Sequence, residues 1–230
     1  AAMKLSRCVT YSIIMRERSS RIAIEALLLG ASGLLSLYNA KDEYVARLQM
    51  EYDHLAAKYD IKAMELREWQ LSKVRTQNHP TLRLAQLAAC YVESDISMNS
   101  VTQCRTLEDI YRLFSGHASE YWLIPNYTFD DASSRFSKMK SELLGINFVA
   151  QMIYAYGDYT LSPALNTQAT ELLRGIPAEK NRYITAWNSY SVVAHNAIDS
   201  QALIQLSREY CLRRRCDQCP VDRWFRYTQM

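Results

Sequence analysis

Apolar residues in this chain recur at steps of three to four, the repeat of one face of an α-helix, and they nowhere sustain the alternation typical of a strand. Residues 41–59 show the clearest pattern, in which one helix face would carry Tyr44, Leu48, Tyr52, Leu55 and Tyr59. Glycine and proline, which interrupt helices, number 6 and 5 among 230 residues. The sequence therefore predicts an all-α protein, a single domain over residues 1–230 with roughly eight to ten helices and no sheet.

Residues 21–37 are apolar on nearly every side, which indicates a helix at the centre of the core. Gly30 and Gly33 within this segment predict that another part of the chain approaches it closely. The segment at residues 21–37 is short for a membrane span, and it carries the charged Glu25 near its middle, so a membrane span is disfavoured. Because the chain has no apolar run of about 18 residues and no secretory segment, we expect a cytoplasmic protein.

Start and stop signals place the other helices. They are predicted over residues 3–16, 63–73, 81–92, 106–114, 141–156 and 162–175, with a further helix that opens at residues 177–179 and a last helix from Asn196. The start signals are Ser19 or Ser20 before residue 21, Asn78 or His79 before Pro80, a capping box that begins at Thr106, and the pair Ser162-Pro163. Gly157 is the predicted end of the helix over residues 141–156.

Three cysteines, Cys211, Cys216 and Cys219, lie within nine residues near the C-terminus. In a reducing compartment such thiols are more often metal ligands than disulfides. A structural zinc ion or an iron–sulfur cluster needs four ligands, and the fourth is left open among Cys8, Cys90, Cys104 and His195. The alternative is free thiols at a helix end. Zinc is the metal that this spacing favours, and we expect little or none in the purified chain.

Basic residues form two groups, and a small aromatic cluster adds a third feature. The candidate nucleic-acid or partner site consists of Arg75, Arg83, Arg208, Arg213, Arg214, Arg215, Tyr121 and Trp122. Arginine clusters either form a solvated face or bind a phosphate backbone. Aromatic residues in an irregular stretch, here residues 116–134, either cover a core or stack on bases. The net charge of +3 neither requires nor excludes an anionic partner.

Motifs for catalysis are missing from the sequence. It contains no glycine-rich phosphate loop, no dinucleotide fingerprint, no nucleophile elbow and no histidine pair at metal-binding spacing. His117 and Ser119 are sequence neighbours, and a triad needs a spatial arrangement that spacing alone does not give. We therefore predict no catalytic residues in this chain.

Several longer stretches carry a resemblance to a known family. They are residues 24–30 (IEALLLG), 33–35 (GLL), 42–44 (DEY), 51–52 (EY), 58–59 (KY), 80–88 (PTLRLAQLA), 118–122 (ASEYW), 155–157 (AYG), 177–181 (PAEKN), 200–206 (SQALIQL) and 210–211 (YC), with the two further cysteines. Together they resemble the bacterial domain-of-unknown-function family 2851. The resemblance covers about residues 22–219, whereas residues 1–20 and the tail 220–230 fit poorly.

The resemblance implies association with a nuclease-like domain and no reaction. Typical members are longer and carry an N-terminal half similar to a PD-(D/E)xK nuclease core, which this chain lacks, so its catalytic residues are not carried over. The activity of the family is not established. Two hypotheses follow: a non-catalytic helical module that helps to bind nucleic acid, or a structural module that docks a partner or itself. The second would use the aromatic stretch at residues 119–129 and the apolar helix at residues 21–37.

Overall fold

The computed structural model describes residues 1–72, 74, 78–123 and 133–228. The chain is 70% helical, which confirms the all-α prediction, and the helices slightly outnumber the predicted eight to ten. Within these described ranges the structure has no strand, and one isolated bridge joins Pro177 to Asn196. Every helix in this part of the chain is too short or too polar to cross a membrane.

The α-helices are numbered along the chain. In chain order they are α1 (Ala2–Cys8), α2 (Tyr11–Glu17), α3 (Arg21–Ala31), α4 (Glu43–Tyr59), α5 (Pro80–Glu93), α6 (Met98–Gln103), α7 (Leu107–Leu113), α8 (Lys138–Leu144), α9 (Ala150–Tyr159), α10 (Pro163–Gly175), α11 (Arg182–Asn188), α12 (Ala197–Gln205) and α13 (Pro220–Thr228). Two π-helical turns occur, Gly145–Val149 between α8 and α9 and Leu206–Cys211 after α12.

The chain divides into two compact units, each built from two stretches. The first unit comprises residues 1–100 and 111–138, and the second comprises residues 101–110 and 139–230. Compactness does not test whether the units fold separately, so the single domain stays a prediction. Each unit is described by itself.

Helix α3 is the centre of the first unit, as predicted. The Ser20 hydroxyl caps it by accepting from the Ala23 amide at 3.2 Å, and every residue from Ala23 to Ala31 is buried. Helices α4 and α5 pack against it. A Cβ at Gly30 would lie 2.2 Å from the Tyr52 ring, so the predicted close approach is confirmed at this glycine.

The C-terminal end of α3 differs from the prediction. The helix ends at Ala31, because Gly33 adopts a left-handed conformation with φ of 74°. The Met64 amide donates to the Ala31 carbonyl at 2.7 Å, and the Trp69 indole donates to the Ser32 carbonyl at 2.9 Å. These bonds satisfy carbonyl groups that a helix end leaves free.

Two other helix predictions for the first unit were wrong in their boundaries. Residues 63–72 do not form an α-helix, since the segment that caps α3 contains a single 3-10 turn, Leu66–Glu68; residue 73 lies outside the described residues. The helix predicted over residues 3–16 is broken into α1 and α2 at Val9 and Thr10. By contrast, α5 begins at Pro80 with His79 as its cap, as predicted.

In the second unit α9 packs against α10, and α12 contacts both α10 and α11. Gly157 does not end α9, which was the prediction; the helix continues to Tyr159. A Cβ at Gly157 would lie 2.6 Å from Asn166 Oδ1, so this glycine permits the approach of α10. The starts of α10 at Pro163 and of α12 after the Asn196 cap agree with the prediction. The helix predicted to open at residues 177–179 instead begins at Arg182, because the Asn181 side chain caps it.

Candidate binding sites

A buried carboxyl group organises the polar contacts of the first unit. Glu25 on α3 is fully buried, and its Oε2 accepts hydrogen bonds from the Tyr44 hydroxyl at 2.8 Å and the Trp122 indole at 2.9 Å. Because the tyrosine has one proton, which goes to the carboxylate, the Ser119 hydroxyl 3.0 Å away is the donor to Tyr44. Oε1 has no hydrogen-bond partner among the described residues. These side chains are named the Glu25 network.

Burial controls the ionisation of this network. It raises the pKa of Glu25, and this effect outweighs the hydrogen bonds from Trp122 and Tyr44 and the charge of Arg21, which lower it. Burial, with the nearby Glu25 charge, also raises the pKa of Tyr44. The carboxyl group therefore stays protonated to a higher pH than a solvated glutamate would.

The Glu25 network corrects the predicted role of Trp122. Its side chain is fully buried and donates to Glu25, so its ring faces have no access for a base. Tyr121 is partly exposed, but its ring stacks on Tyr44 with centroids 4.5 Å apart, which covers one face. His117 lies against Glu93, whereas Ser119 contacts Tyr44, so His117 and Ser119 are not paired as a triad requires.

Of the two candidate arginines in the first unit, Arg75 and Arg83, only Arg83 is among the described residues. Arg75 lies outside the described residues, as does the part of the aromatic stretch at residues 124–132. Arg83 on α5 is half-buried and binds the Gln86 side-chain oxygen at 2.7 Å and the Asn78 side-chain oxygen at 3.1 Å. Its guanidinium lies 5.6 Å from the centroid of the Phe136 ring. Arg83 is thus held within the first unit and lines an apolar groove.

The second predicted basic group lies wholly in the second unit. We name residues 206–228 the C-terminal basic segment; it carries six arginines and three carboxylates, a net charge of +3 that equals the net charge of the whole chain. Its members Arg208, Arg213, Arg214 and Arg215 are all exposed. Arg213 pairs with Glu209 at 3.2 Å. Among the described residues Arg208, Arg214 and Arg215 have no carboxylate partner, so their charge is available to a ligand.

Exposed aromatic side chains follow these arginines in the chain, on α13. Trp224 is 66% exposed and Tyr227 is 77% exposed. Val221, Trp224 and Phe225 share one face of the helix at steps of three and four, and Arg223 and Arg226 lie on the other. The sequence analysis missed this helix because it treated residues 220–230 as a tail, although the spacing was present in the sequence.

The three C-terminal cysteines do not form a preformed metal site. Cys219 is buried, whereas Cys211 and Cys216 are exposed. Burial raises the pKa of Cys211, and negative charge on Cys219 and Cys216 raises it further. No group of three or more His, Cys, Asp or Glu side chains in the described ranges has the arrangement of a metal site. The expectation of little or no bound zinc stays a prediction.

The comparisons with known proteins place the chain in one family. A family model described as "Protein of unknown function (DUF2851)" matches residues 1–182. The match includes residues 1–20, which were expected to fit poorly, but it stops at residue 182, so residues 183–219, which were expected to fit, lie outside it. No curated protein and no solved structure matches the chain. Because the family model covers most of its length, the chain belongs to the DUF2851 family of proteins of unknown function.

Proposed function

We propose that this chain is a non-catalytic helical module that binds single-stranded nucleic acid through its C-terminal basic segment. The observation that carries the proposal is the concentration of the net charge of +3 in residues 206–228, a segment that holds both arginines without carboxylate partners and exposed aromatic rings. Phosphate contacts supply the affinity of such surfaces, and stacking on aromatic side chains adds affinity without demanding one sequence.

The chemistry of the segment favours single strands over duplexes. Trp224 and Tyr227 are more than half exposed, so a base can lie against either ring. Stacked bases inside a duplex do not offer their faces to a side chain, whereas unpaired bases do. Arg213 and Arg226 retain their i,i+4 pairs with Glu209 and Asp222. Arg223 donates to the Asp217 carbonyl at 3.4 Å, which leaves Arg208, Arg214 and Arg215 as the main phosphate contacts.

The test is fluorescence anisotropy with labelled single-stranded DNA, single-stranded RNA and duplex DNA over a series of salt concentrations. The variant Arg208→Gln/Arg214→Gln/Arg215→Gln removes three charges. Since each phosphate contact on a single strand contributes about −0.7 to the slope of log K against log salt, we expect the slope to weaken by about 2 and the affinity to fall at least about tenfold.

The matched control removes the same charge from the first unit. Arg16, Arg47 and Lys62 are exposed, and the triple change of these residues to Gln should leave binding nearly unchanged. Trp224→Ala should cost about 1–3 kcal/mol of binding free energy through lost stacking. Binding without salt dependence, or an equal loss in both triple variants, would reject the proposal.

A second candidate function, a partner-docking module, is favoured by an exposed stripe on α9. Met152, Tyr156 and Tyr159 follow one another at steps of four and three, and Tyr159 is 85% exposed. The Tyr156 and Tyr159 rings stack with centroids 6.5 Å apart. The apolar helix α3, which the sequence suggested for docking, is instead buried by its own unit, so the stripe takes its place in this hypothesis.

The partner that this candidate proposes is a second copy of the chain. Light scattering over a concentration series should then show a dimer that Tyr156→Lys dissociates. Met50→Lys is the control. This substitution adds the same charge as Tyr156→Lys, and Met50 is 73% exposed on α4 in the other unit. A monomer at all concentrations would reject self-association.

A further inference from the structure

The first unit contains a groove whose lining is mostly apolar. Its volume is about 500 Å³, within the range of about 300–1,000 Å³ typical of small-molecule sites. Leu28 of α3 and Leu84 and Leu87 of α5 line it, together with Ile14 of α2 and Val9, which lies between α1 and α2. A chain of methylene groups placed there would replace water against these side chains and gain the free energy of apolar burial.

One charged side chain, Arg83, belongs to the lining, and none of the described lining residues is acidic. Both of its hydrogen-bond acceptors, the Gln86 and Asn78 amide oxygens, are neutral. Phe136 covers one face of the guanidinium. A half-buried arginine held by neutral groups keeps a full positive charge uncompensated, and its planar fork suits a carboxylate.

The position of Arg83 relative to the apolar side chains defines a polarity along the groove. Arg83 and Leu87 are one helical turn apart on α5, and Tyr91 follows one turn later on the same face. The cation therefore lies toward the N-terminal end of α5, and the apolar side chains extend from it along the helix. This arrangement matches a molecule with an anionic head and an apolar tail.

We propose that this groove binds a linear amphipathic carboxylate of the fatty-acid class, with the carboxylate on Arg83 and the alkyl chain along α5. The site is independent of the C-terminal basic segment, which lies in the other unit. The alkyl chain supplies affinity by burial, and the guanidinium supplies selectivity for a charged head group over a neutral one.

Isothermal titration calorimetry of the full chain with dodecanoate, below its micelle threshold, tests the proposal. We expect saturable binding of one molecule. Dodecanol, which has the same tail without the charge, should bind about tenfold or more weakly, because a hydrogen-bonded charge pair contributes about 1.5–3 kcal/mol. Octanoate should also bind more weakly, since each methylene lost removes about 0.8 kcal/mol of burial.

Substitutions locate the ligand within the groove. Arg83→Gln should reduce the affinity for dodecanoate to that of dodecanol, and Arg83→Lys should restore part of it. Arg47→Gln is the matched control, because Arg47 is exposed on α4 and lies outside the groove. A chain-brominated dodecanoate should quench the fluorescence of Trp69, which lines the groove. This quenching should be lost in Trp69→Phe and kept in Trp224→Phe, with circular dichroism to verify folding.

Each alternative result overturns the proposal. An absence of saturable heat would mean that the groove does not take this class of ligand. Equal affinities for dodecanoate and dodecanol, or equal affinities in Arg83→Gln and Arg47→Gln, would remove Arg83 from recognition. Quenching that persists in Trp69→Phe would place the ligand elsewhere on the chain.

Discussion

Replacing Glu25 by alanine should destabilise the first unit, by an amount that can be worked out from its contacts. The buried Trp122 indole would lose the acceptor it has at 2.9 Å, at a cost of about 1–3 kcal/mol. Tyr44 would lose its acceptor at 2.8 Å but keep the Ser119 contact, at a cost of about 1 kcal/mol. The buried side-chain methylene adds about 0.8 kcal/mol. The sum is about 3–5 kcal/mol when the carboxyl group is neutral.

The unfolding free energy lost in Glu25→Ala should become smaller as the pH rises. The pKa of Glu25 is raised in the folded protein, so the unfolded chain releases this proton first as the pH passes the ordinary value of 4.5. Stability contributed by the wild-type carboxyl group is therefore full below 4.5 and falls between 4.5 and the higher folded pKa. The Glu25→Ala variant has no such pH-dependent loss. The difference in unfolding free energy between it and the wild-type protein therefore becomes smaller toward neutral pH.

Glu25→Gln separates the hydrogen bonds from the charge. Its amide oxygen can accept from both Trp122 and Tyr44, and it does not ionise. At about pH 4 it should be within about 1 kcal/mol of the wild-type protein, and by about pH 7 it should be the more stable of the two.

Urea unfolding, followed by tryptophan fluorescence at several pH values, measures these differences. A cost for Glu25→Ala below about 1 kcal/mol at low pH would show that the network does not stabilise the unit. A Glu25→Gln difference that does not change between about pH 4 and pH 7 would show that the pKa of Glu25 is not raised.

Three further predictions concern packing, capping and metal. Gly30→Ala should cost about 1–3 kcal/mol of unfolding free energy, because the new Cβ would lie 2.2 Å from the Tyr52 ring; an unchanged urea midpoint would contradict the tight crossing of α3 and α4. Asn196→Ala should cost about 1 kcal/mol, because its Oδ1 accepts from the Asp199 amide at 3.0 Å at the start of α12, and Asn188→Ala, at the end of α11, should cost less. Elemental analysis of the purified chain should find little or no zinc, whereas one zinc per chain that is lost in Cys216→Ser would make the cysteines a metal site.

Local signals in the sequence were sufficient for the helices that begin with a cap. Ser20, His79 and Asn196 each bond to an amide two or three residues away, so the interaction is contained in the short stretch that the prediction reads. The segment at residues 63–73 has a helix-like spacing of apolar residues, but the Met64 amide binds the Ala31 carbonyl, 33 residues away in the chain. This tertiary hydrogen bond thus overrides the local pattern, and it cannot be predicted from the residues near Met64 alone.

The Glu25 network was beyond sequence reasoning for the same reason. Its hydrogen bonds join residues 19 and 97 positions apart, and a single acidic residue in an apolar helix does not name its partners. Arg83 was selected as a surface cation, and its place beside an apolar groove depends on how α5 packs. The arginines of the C-terminal basic segment are local neighbours, so their exposure as a group could be predicted from spacing alone.

The interleaving of the two units affects how the protein can be completed during synthesis. Residues 101–110 leave the ribosome before residues 111–138, yet they belong to the second unit. The Gln168 side chain, which donates to the Thr102 and Cys104 carbonyls at 2.8 Å each, is translated more than sixty residues later. When the last residue of the first unit has been made, residues 101–110 therefore still lack α10, the helix that carries their Gln168 partner. A truncation after residue 138 would keep every residue of the first unit and leave this ten-residue insertion without its partner.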